Sequence, residues 1–155
     1  MSEVIFGVSP VAWVRTSRAR PIDDDWGEEV AELELVEEFT AEAFLGLSEF
    51  SHIEVVFLFD RVDPEEVNTS ARHPRGRADW PRVGVFAQRN KSRPNRLGVS
   101  RCELLEVRGR TLRVRGLDAI DGTPVLDIKP WFQEFAPRQD VEQPAWTHEL
   151  MRGYY

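Results

Sequence analysis

Residues 97–117, LGVSRCELLEVRGRTLRVRGL, constrain the fold more than any other stretch. In TLRVRGL, Leu112 and Val114 alternate with Arg113 and Arg115, the period of a strand with one dry face and one wet face. LGVSRCELLEV reads as a second strand, and Arg108-Gly109 supplies the turn, so the two form a hairpin. The alternation returns in VAELELV, where Ala31, Leu33 and Leu35 oppose Glu32 and Glu34. HIEVVFLF is almost wholly apolar, as expected of a central strand covered on both faces. EVIFGVS reads as the first strand and VGVFA as another, while DGTPVLDIKPW begins as a turn and runs into a strand. Helix signals are few. TAEAFLGL is expected to form a short helix N-capped by Thr40 and weakened by Gly46, and AWTHELM a second one. PVAWVRTSRARPIDDDWG reads as a loop broken by Pro10, Pro21 and Gly27. Residues 60–82, with three prolines, read as a long exposed excursion. Six or seven strands and one or two short helices predict a mainly β, barrel-like single domain over residues 1–155, with its core at 28–131 and a tail at 132–155.

The remaining bulk features exclude more than they assign. A chain of 155 residues is long enough to bury one sizeable core. No apolar run approaches the roughly 20 residues that span a bilayer. MSEVIFGVSP lacks the basic start and apolar core of a secretory signal. The single cysteine, Cys102, excludes an internal disulfide and a cysteine zinc cluster; it reads as a buried strand residue in a reducing, cytoplasmic setting. There is no βαβ alternation and no G-x-G-x-x-G, so a Rossmann nucleotide site is not expected. Nor is there a G-x-x-x-x-G-K-[ST] phosphate loop, an H-E-x-x-H metal pair or a G-x-S-x-G nucleophile elbow. His52, His73 and His148 are scattered, and no metal is expected.

Charge is unevenly distributed. The net charge is −7, yet residues 22–60 hold thirteen Asp or Glu and no Lys or Arg, whereas residues 72–101 hold nine Lys or Arg against Asp79 alone. Either the two segments pair in the fold, or the basic one forms a confined anion site. Within the basic segment, FAQRNKSRPNRLG crowds Arg89, Lys91, Arg93 and Arg96 into one connection. Pro94 fixes its own φ and pushes Arg93 toward an extended conformation, while Asn95 tolerates a left-handed one. Such a corner is stiff, and an arginine fork on it can take a carboxylate or a phosphate. A second constellation is LDAIDGTPVLDIKP, in which Asp121-Gly122 is a turn dipeptide that can offer backbone groups to a purine edge. Asp118, Asp121, Asp127 and Lys129 lie close in sequence around it.

GLSEFSHIEVVFLF, GVFAQRNKSRPNRLGVS and LDAIDGTPVLDIKPW, in that order, resemble the TrmO (YaeB-like) family over residues 28–131. The R-P-N-x-[IL]-G and D-G-[TS]-P-V-x-D-I-K strings carry the resemblance. It implies a compact β-barrel, a homodimer, and S-adenosylmethionine as cofactor. It implies methylation of the exocyclic N6 of threonylcarbamoyl-adenosine beside the tRNA anticodon. The cofactor contacts it implies are Arg89, Val99 and the turn Ala119, Ile120, Asp121 and Gly122. It adds Asp60 and Arg61 at the exit of the central strand, and the first-loop positions Pro21 and Asp23. The family's Pro-Arg-Gln is here Pro21-Ile22-Asp23; either Asp23 to Asp25 bond ribose hydroxyls instead, or cofactor affinity or substrate differs in this branch. Trp131 stands where tyrosine is common, and the C-terminal extension of some members is not expected. For the chemistry, Asp127, Lys129 and Asn95 are the candidate catalytic residues, with Asp127 or a carbonyl of the turn polarising the amine N–H. Arg89 or Arg93 is a candidate for the methionine carboxylate or a phosphate. Arg72, Arg75, Arg77, Arg82, Arg93 and Arg96 are candidates for the RNA backbone. Two other readings fit the same residues: a methyltransferase of this fold acting on a small metabolite or another nucleic acid, and a non-catalytic S-adenosylmethionine-binding module.

Overall fold

The computed structural model describes residues 3–155. The strands are β1 (Ala12–Arg15), β2 (Val30–Leu35), β3 (His52–Leu58), β4 (Ala71–Arg72), β5 (Val83–Gly84), β6 (Leu97–Arg108), β7 (Thr111–Arg115) and β8 (Pro124–Pro130). Six of them close into a barrel in the order β1-β2-β7-β6-β3-β8, and β4 and β5 form a separate two-stranded sheet. Every barrel pairing is antiparallel, so side chains alternate between interior and exterior along each strand. The interior is filled by Ala12 and Val14, Ala31 and Leu33, Ile53, Val55 and Phe57, Leu112 and Val114, and Val125. Burial of each of the larger ones is worth about 1.5–3 kcal/mol, which is why the alternating segments dictate the closure. The predicted hairpin is present: Val107 faces Leu112 and Arg108 faces Thr111 across Gly109, whose φ is 58°.

The sequence-based expectations need four corrections. EVIFGVS is no strand; residues 3–9 are irregular and exposed. The first strand is AWVR, inside the expected loop, where Ala12 and Val14 point inward and Trp13 pairs Glu34 on one side and Pro124 on the other. HIEVVFLF is not equally sealed on its two faces: Ile53, Val55 and Phe57 fill the barrel, while Glu54, Val56 and Leu58 point outward and are only partly covered, and His52 is exposed. TAEAFLGL forms two 3₁₀ turns, Ala41–Phe44 and Leu47–Glu49, because Gly46 at φ 85° interrupts the run; the Thr40 side chain makes no cap bond. VGVFA contributes only the two residues of β5 before turning into a 3₁₀ segment at Val85–Ala87. AWTHELM holds a helix, α1 (Ala145–Leu150), as expected.

One glycine explains part of the R-P-N-x-[IL]-G string. Gly98 pairs with Phe57 across β3 and β6, and a Cβ on Gly98 would lie 2.5 Å from the buried Phe57 ring. No helix of the described residues is long and apolar enough to cross a membrane.

Candidate functional site

Three connections meet where β1 ends and β8 begins. Thr16 N–H donates to Asp121 Oδ1 at 3.1 Å, Asp121 N–H donates to the Arg18 carbonyl at 2.8 Å, and Gly122 N–H donates to the Val14 carbonyl at 2.8 Å. These bonds fix the turn against the first loop. From the exit of β3, Arg61 donates to the carbonyls of Ala19 and Asp121, each at 3.2 Å. Asp60, Arg61, the Ala119–Gly122 turn and the start of the loop that carries Pro21 and Asp23 therefore share one rim. Gly122 has φ 80°, and its missing Cβ would sit 3.9 Å from the Arg61 guanidinium. The N–H groups of Asp121 and Gly122 are already engaged, the Ile120 carbonyl accepts from the Thr123 N–H at 3.2 Å, and Ala119 and Ile120 are buried.

The first loop is braced by its own arginine. The Arg18 guanidinium lies 3.5 Å from the centre of the Trp26 ring and donates to the carbonyls of Ile22 and Asp25 at 3.0 and 2.9 Å. Asp23 and Asp24 face Arg75, at 3.9 and 2.9 Å.

Val99, Asp127 and Lys129 occupy a different surface. Val99, Val56 and Asp127 form one row across β6, β3 and β8 on the outside of the barrel, with Val99 39 % exposed. Two strand spacings, about 10 Å, separate the ends of that row. Asp127 is occupied on both oxygens, by Lys129 at 2.8 Å and by the Ile128 N–H at 2.9 Å. The bond to Asp127 raises the Lys129 pKa. Asp127 also lines an apolar cavity of about 490 Å³ with Phe39, Phe44, Phe50 and Pro130, at the barrel end away from the turn.

Most of the basic candidates brace the fold. Arg93 donates to the Gln88 carbonyl at 2.6 Å and Arg96 to that of Val62 at 2.7 Å. Asn95 and Arg96 both adopt left-handed backbone, φ 62° and 51°, as the stiff corner anticipates for Asn95. Arg77 pairs with Asp79 and lies 4.0 Å from the centre of the Trp80 ring. Arg72, Arg82 and Arg89 are exposed, and no ion pair involves them among the described residues. Of the two alternatives for the charge asymmetry, pairing holds in part: Arg75 pairs with Asp23 and Asp24 and Arg101 with Glu54, while Arg72, Arg82 and Arg89 make no ion pair among the described residues.

Tyr154 and Asn90 carry no signal in the sequence. Asp118 accepts from the Tyr154 hydroxyl on Oδ2, while its Oδ1 is buried without a partner. Burial, then the Asp118 charge, push the Tyr154 phenol far above its usual range. Asn90, next to Arg89, has both amide atoms buried and unpartnered. The contact between Asp118 and Tyr154 has no local signature, since the two residues are 36 positions apart. Among the described residues no three His, Cys, Asp or Glu side chains are grouped to hold a metal ion.

Comparison with known proteins agrees with this architecture. Residues 12–136 match the family model of the tRNA-methyltransferase O N-terminal domain. A human tRNA (adenine(37)-N6)-methyltransferase is 35 % identical over 113 residues, covering 73 % of this chain. This chain spans only 25 % of that relative's length. A protein of Methanothermobacter thermautotrophicus described as a probable S-adenosyl-L-methionine-binding protein is 38 % identical over 138 residues, 86 % of this chain and 96 % of its own. The crystal structure of TrmO from Pseudomonas aeruginosa superposes with a TM-score of 0.75 at 28 % identity, over 94 % of this chain and 63 % of that one. The R-P-N-x-[IL]-G and D-G-[TS]-P-V-x-D-I-K strings, the closed six-stranded barrel and the matched family model lead to one assignment: the chain belongs to the tRNA-methyltransferase O N-terminal domain family.

Proposed function

We propose that this protein is an S-adenosylmethionine-dependent methyltransferase acting on N6 of an adenosine beside the tRNA anticodon, with the threonylcarbamoylated base as its substrate. The observation that carries the reading is the meeting of the β3 exit, the first loop and the Ala119–Gly122 turn at one rim, braced by Arg61. The names of the human and archaeal relatives support the reaction and the cofactor.

The rim's residues fit the cofactor. The buried, unpartnered Oδ1 of Asp118 is an acceptor awaiting a donor. Exposed Arg89 suits the amino-acid carboxylate, whereas Val99 lies on the outer face of β6, on a different surface from the rim, and is not among the groups that fit the cofactor there. Asp60, Pro21 and Asp23 border the same rim, with Asp23 suited to ribose hydroxyls. When bound, the cofactor supplies an electrophilic methyl group on a sulfonium whose thioether leaves readily. The protein's task is then orientation, and removal of the proton that the amine loses as its nitrogen takes the methyl. Asp118 suits that proton better than Asp127, whose two oxygens are already engaged. In this reading Asp127, Lys129 and Asn95 keep a positioning role.

Arg72 and Arg82 are free to meet phosphates, and Arg75 and Arg77 do so by exchanging a carboxylate for RNA. Arg93 and Arg96 act through the stiffness they give the connection. A homodimer in the cytoplasm completes the proposal. Leu97 and Val99 on the outer face are the exposed apolar residues that a second copy would cover, and sedimentation velocity reads that association.

The test is transfer of a labelled methyl group to threonylcarbamoylated and to unmodified tRNA. Incorporation confined to the modified tRNA is expected. Equal incorporation would leave tRNA as substrate and remove the threonylcarbamoyl requirement, and no incorporation in either would reject the reaction.

A further inference from the structure

The segment beyond the family-matched residues 12–136 returns to the rim. The α1 helix is held on the excursion by Trp146 against Trp80, ring centres 6.3 Å apart, and by the Trp80 indole N–H donating to Glu149 at 2.9 Å. The chain then pairs with the first loop: Asp25 N–H donates to the Gly153 carbonyl at 3.0 Å and Trp26 N–H to the Tyr154 carbonyl at 2.8 Å. Gly27 makes this approach possible, because a Cβ there would stand 2.7 Å from the Tyr155 backbone. Tyr154 is fixed by its hydroxyl on Asp118, and its ring meets that of Tyr155 edge-on at 4.9 Å. Tyr155 is thereby mounted on a held neighbour while remaining 64 % exposed.

We infer that Tyr155 is the stacking platform for the tRNA base on which the site acts, held in place by the Tyr154–Asp118 contact and the pairing with Asp25 and Trp26. This rests on the function proposed above. A base to be methylated at an exocyclic nitrogen must leave its stack, and an aromatic face at the mouth of the site replaces the neighbour it loses. Tyr155 meets that need: the residue is largely exposed beside the site, and its mount is held by the same carboxylate that borders the turn. Burial and the Asp118 charge raise the Tyr155 pKa while the Arg89 charge opposes them, so the phenol lies within the field of both rim groups.

The test combines direct tRNA binding by fluorescence anisotropy, steady-state methyl transfer, calorimetry of S-adenosylmethionine and thermal melting, for wild type, Tyr155→Ala, Tyr155→Phe and Tyr155→Trp. Tyr155→Ala is expected to weaken tRNA binding and raise the tRNA KM about tenfold, with kcat, cofactor affinity and Tm unchanged. Phe and Trp are expected to restore the wild-type values, since they keep the ring. Unchanged tRNA affinity in Tyr155→Ala overturns the inference. So does a parallel loss of cofactor affinity, which would make Tyr155 a cofactor contact, or failure of Phe to restore, which would make the hydroxyl the active part. Wild type that binds tRNA but transfers no methyl rejects the reaction and not the platform; wild type that does not bind tRNA rejects both.

Discussion

The buried Phe57 ring fills the space that a side chain on Gly98 would need. Gly98→Ala therefore forces one of the best-packed residues of the interior to shift, and is expected to destabilise the fold by about 1–3 kcal/mol in urea denaturation. Asn95 sits at φ 62°, where glycine is free and a Cβ is strained. Asn95→Ala is expected to cost about 1 kcal/mol while Asn95→Gly costs less, read in the same experiment. Cys102 makes a pH-dependent prediction. Burial, with a smaller contribution from the Asp118 charge, pushes its thiol from 9.0 up to about 12. Below pH 9 the thiol is neutral in both states and costs nothing. Above 9.0 the unfolded chain ionises while the folded one does not, so stability is lost as pH rises toward 12. Wild type is expected to lose stability relative to Cys102→Ala between pH 9 and 11, by up to about 1 kcal/mol per pH unit. Parallel curves would contradict the burial of the thiol.

At the scale of elements, the excursion from Asp60 to Arg82 and the segment from Ala145 onward hold one another. Trp80 contacts Trp146 and Glu149, and Arg75 ties the excursion to Asp24. Trp146→Ala is expected to speed hydrogen exchange in residues 145–155 and around Trp80, while β3 and β6 keep their protection. Uniform loss of protection would mean that the segment supports the barrel itself. Legibility in the sequence follows the same division. Strands β2, β6, β7 and β8 were readable because their inward residues alternate over five or more positions, or because a turn dipeptide announces them. Strand β1 was not, since AWVR offers only two inward residues between proline-bearing loops, and its place comes from pairing partners distant in sequence. The site divides likewise. The Asp121-Gly122 turn and the stiff Pro94-Asn95 corner have local chemistry and were visible. Arg61 bracing Asp121, Asp118 meeting Tyr154, and Arg93 and Arg96 turned onto carbonyls were not, because each depends on how the barrel brings remote segments together.

At the scale of the whole molecule, an acidic chain carries a short basic stretch whose charges are partly spent inside the fold. Arg72 and Arg82 remain free for an RNA backbone and Arg75 and Arg77 can join them by exchange, which sets the expectation for salt dependence: about four phosphate contacts per chain, and a logarithmic slope near −3 for single-stranded RNA. A slope near zero in tRNA titrations would remove the basic residues from the interface. The central claim is that the rim shared by Arg61, Asp118 and the Ala119–Gly122 turn binds S-adenosylmethionine, with Arg89, whose charge reaches Tyr155, taking its carboxylate. Calorimetric titration of the cofactor into wild type, Arg89→Ala and Asp118→Asn tests it most directly. The account predicts one site per chain in wild type and at least a tenfold loss of affinity in each variant, with Arg89→Ala melting at the wild-type temperature. Wild-type affinity in both variants, or no binding by the wild type, would contradict it.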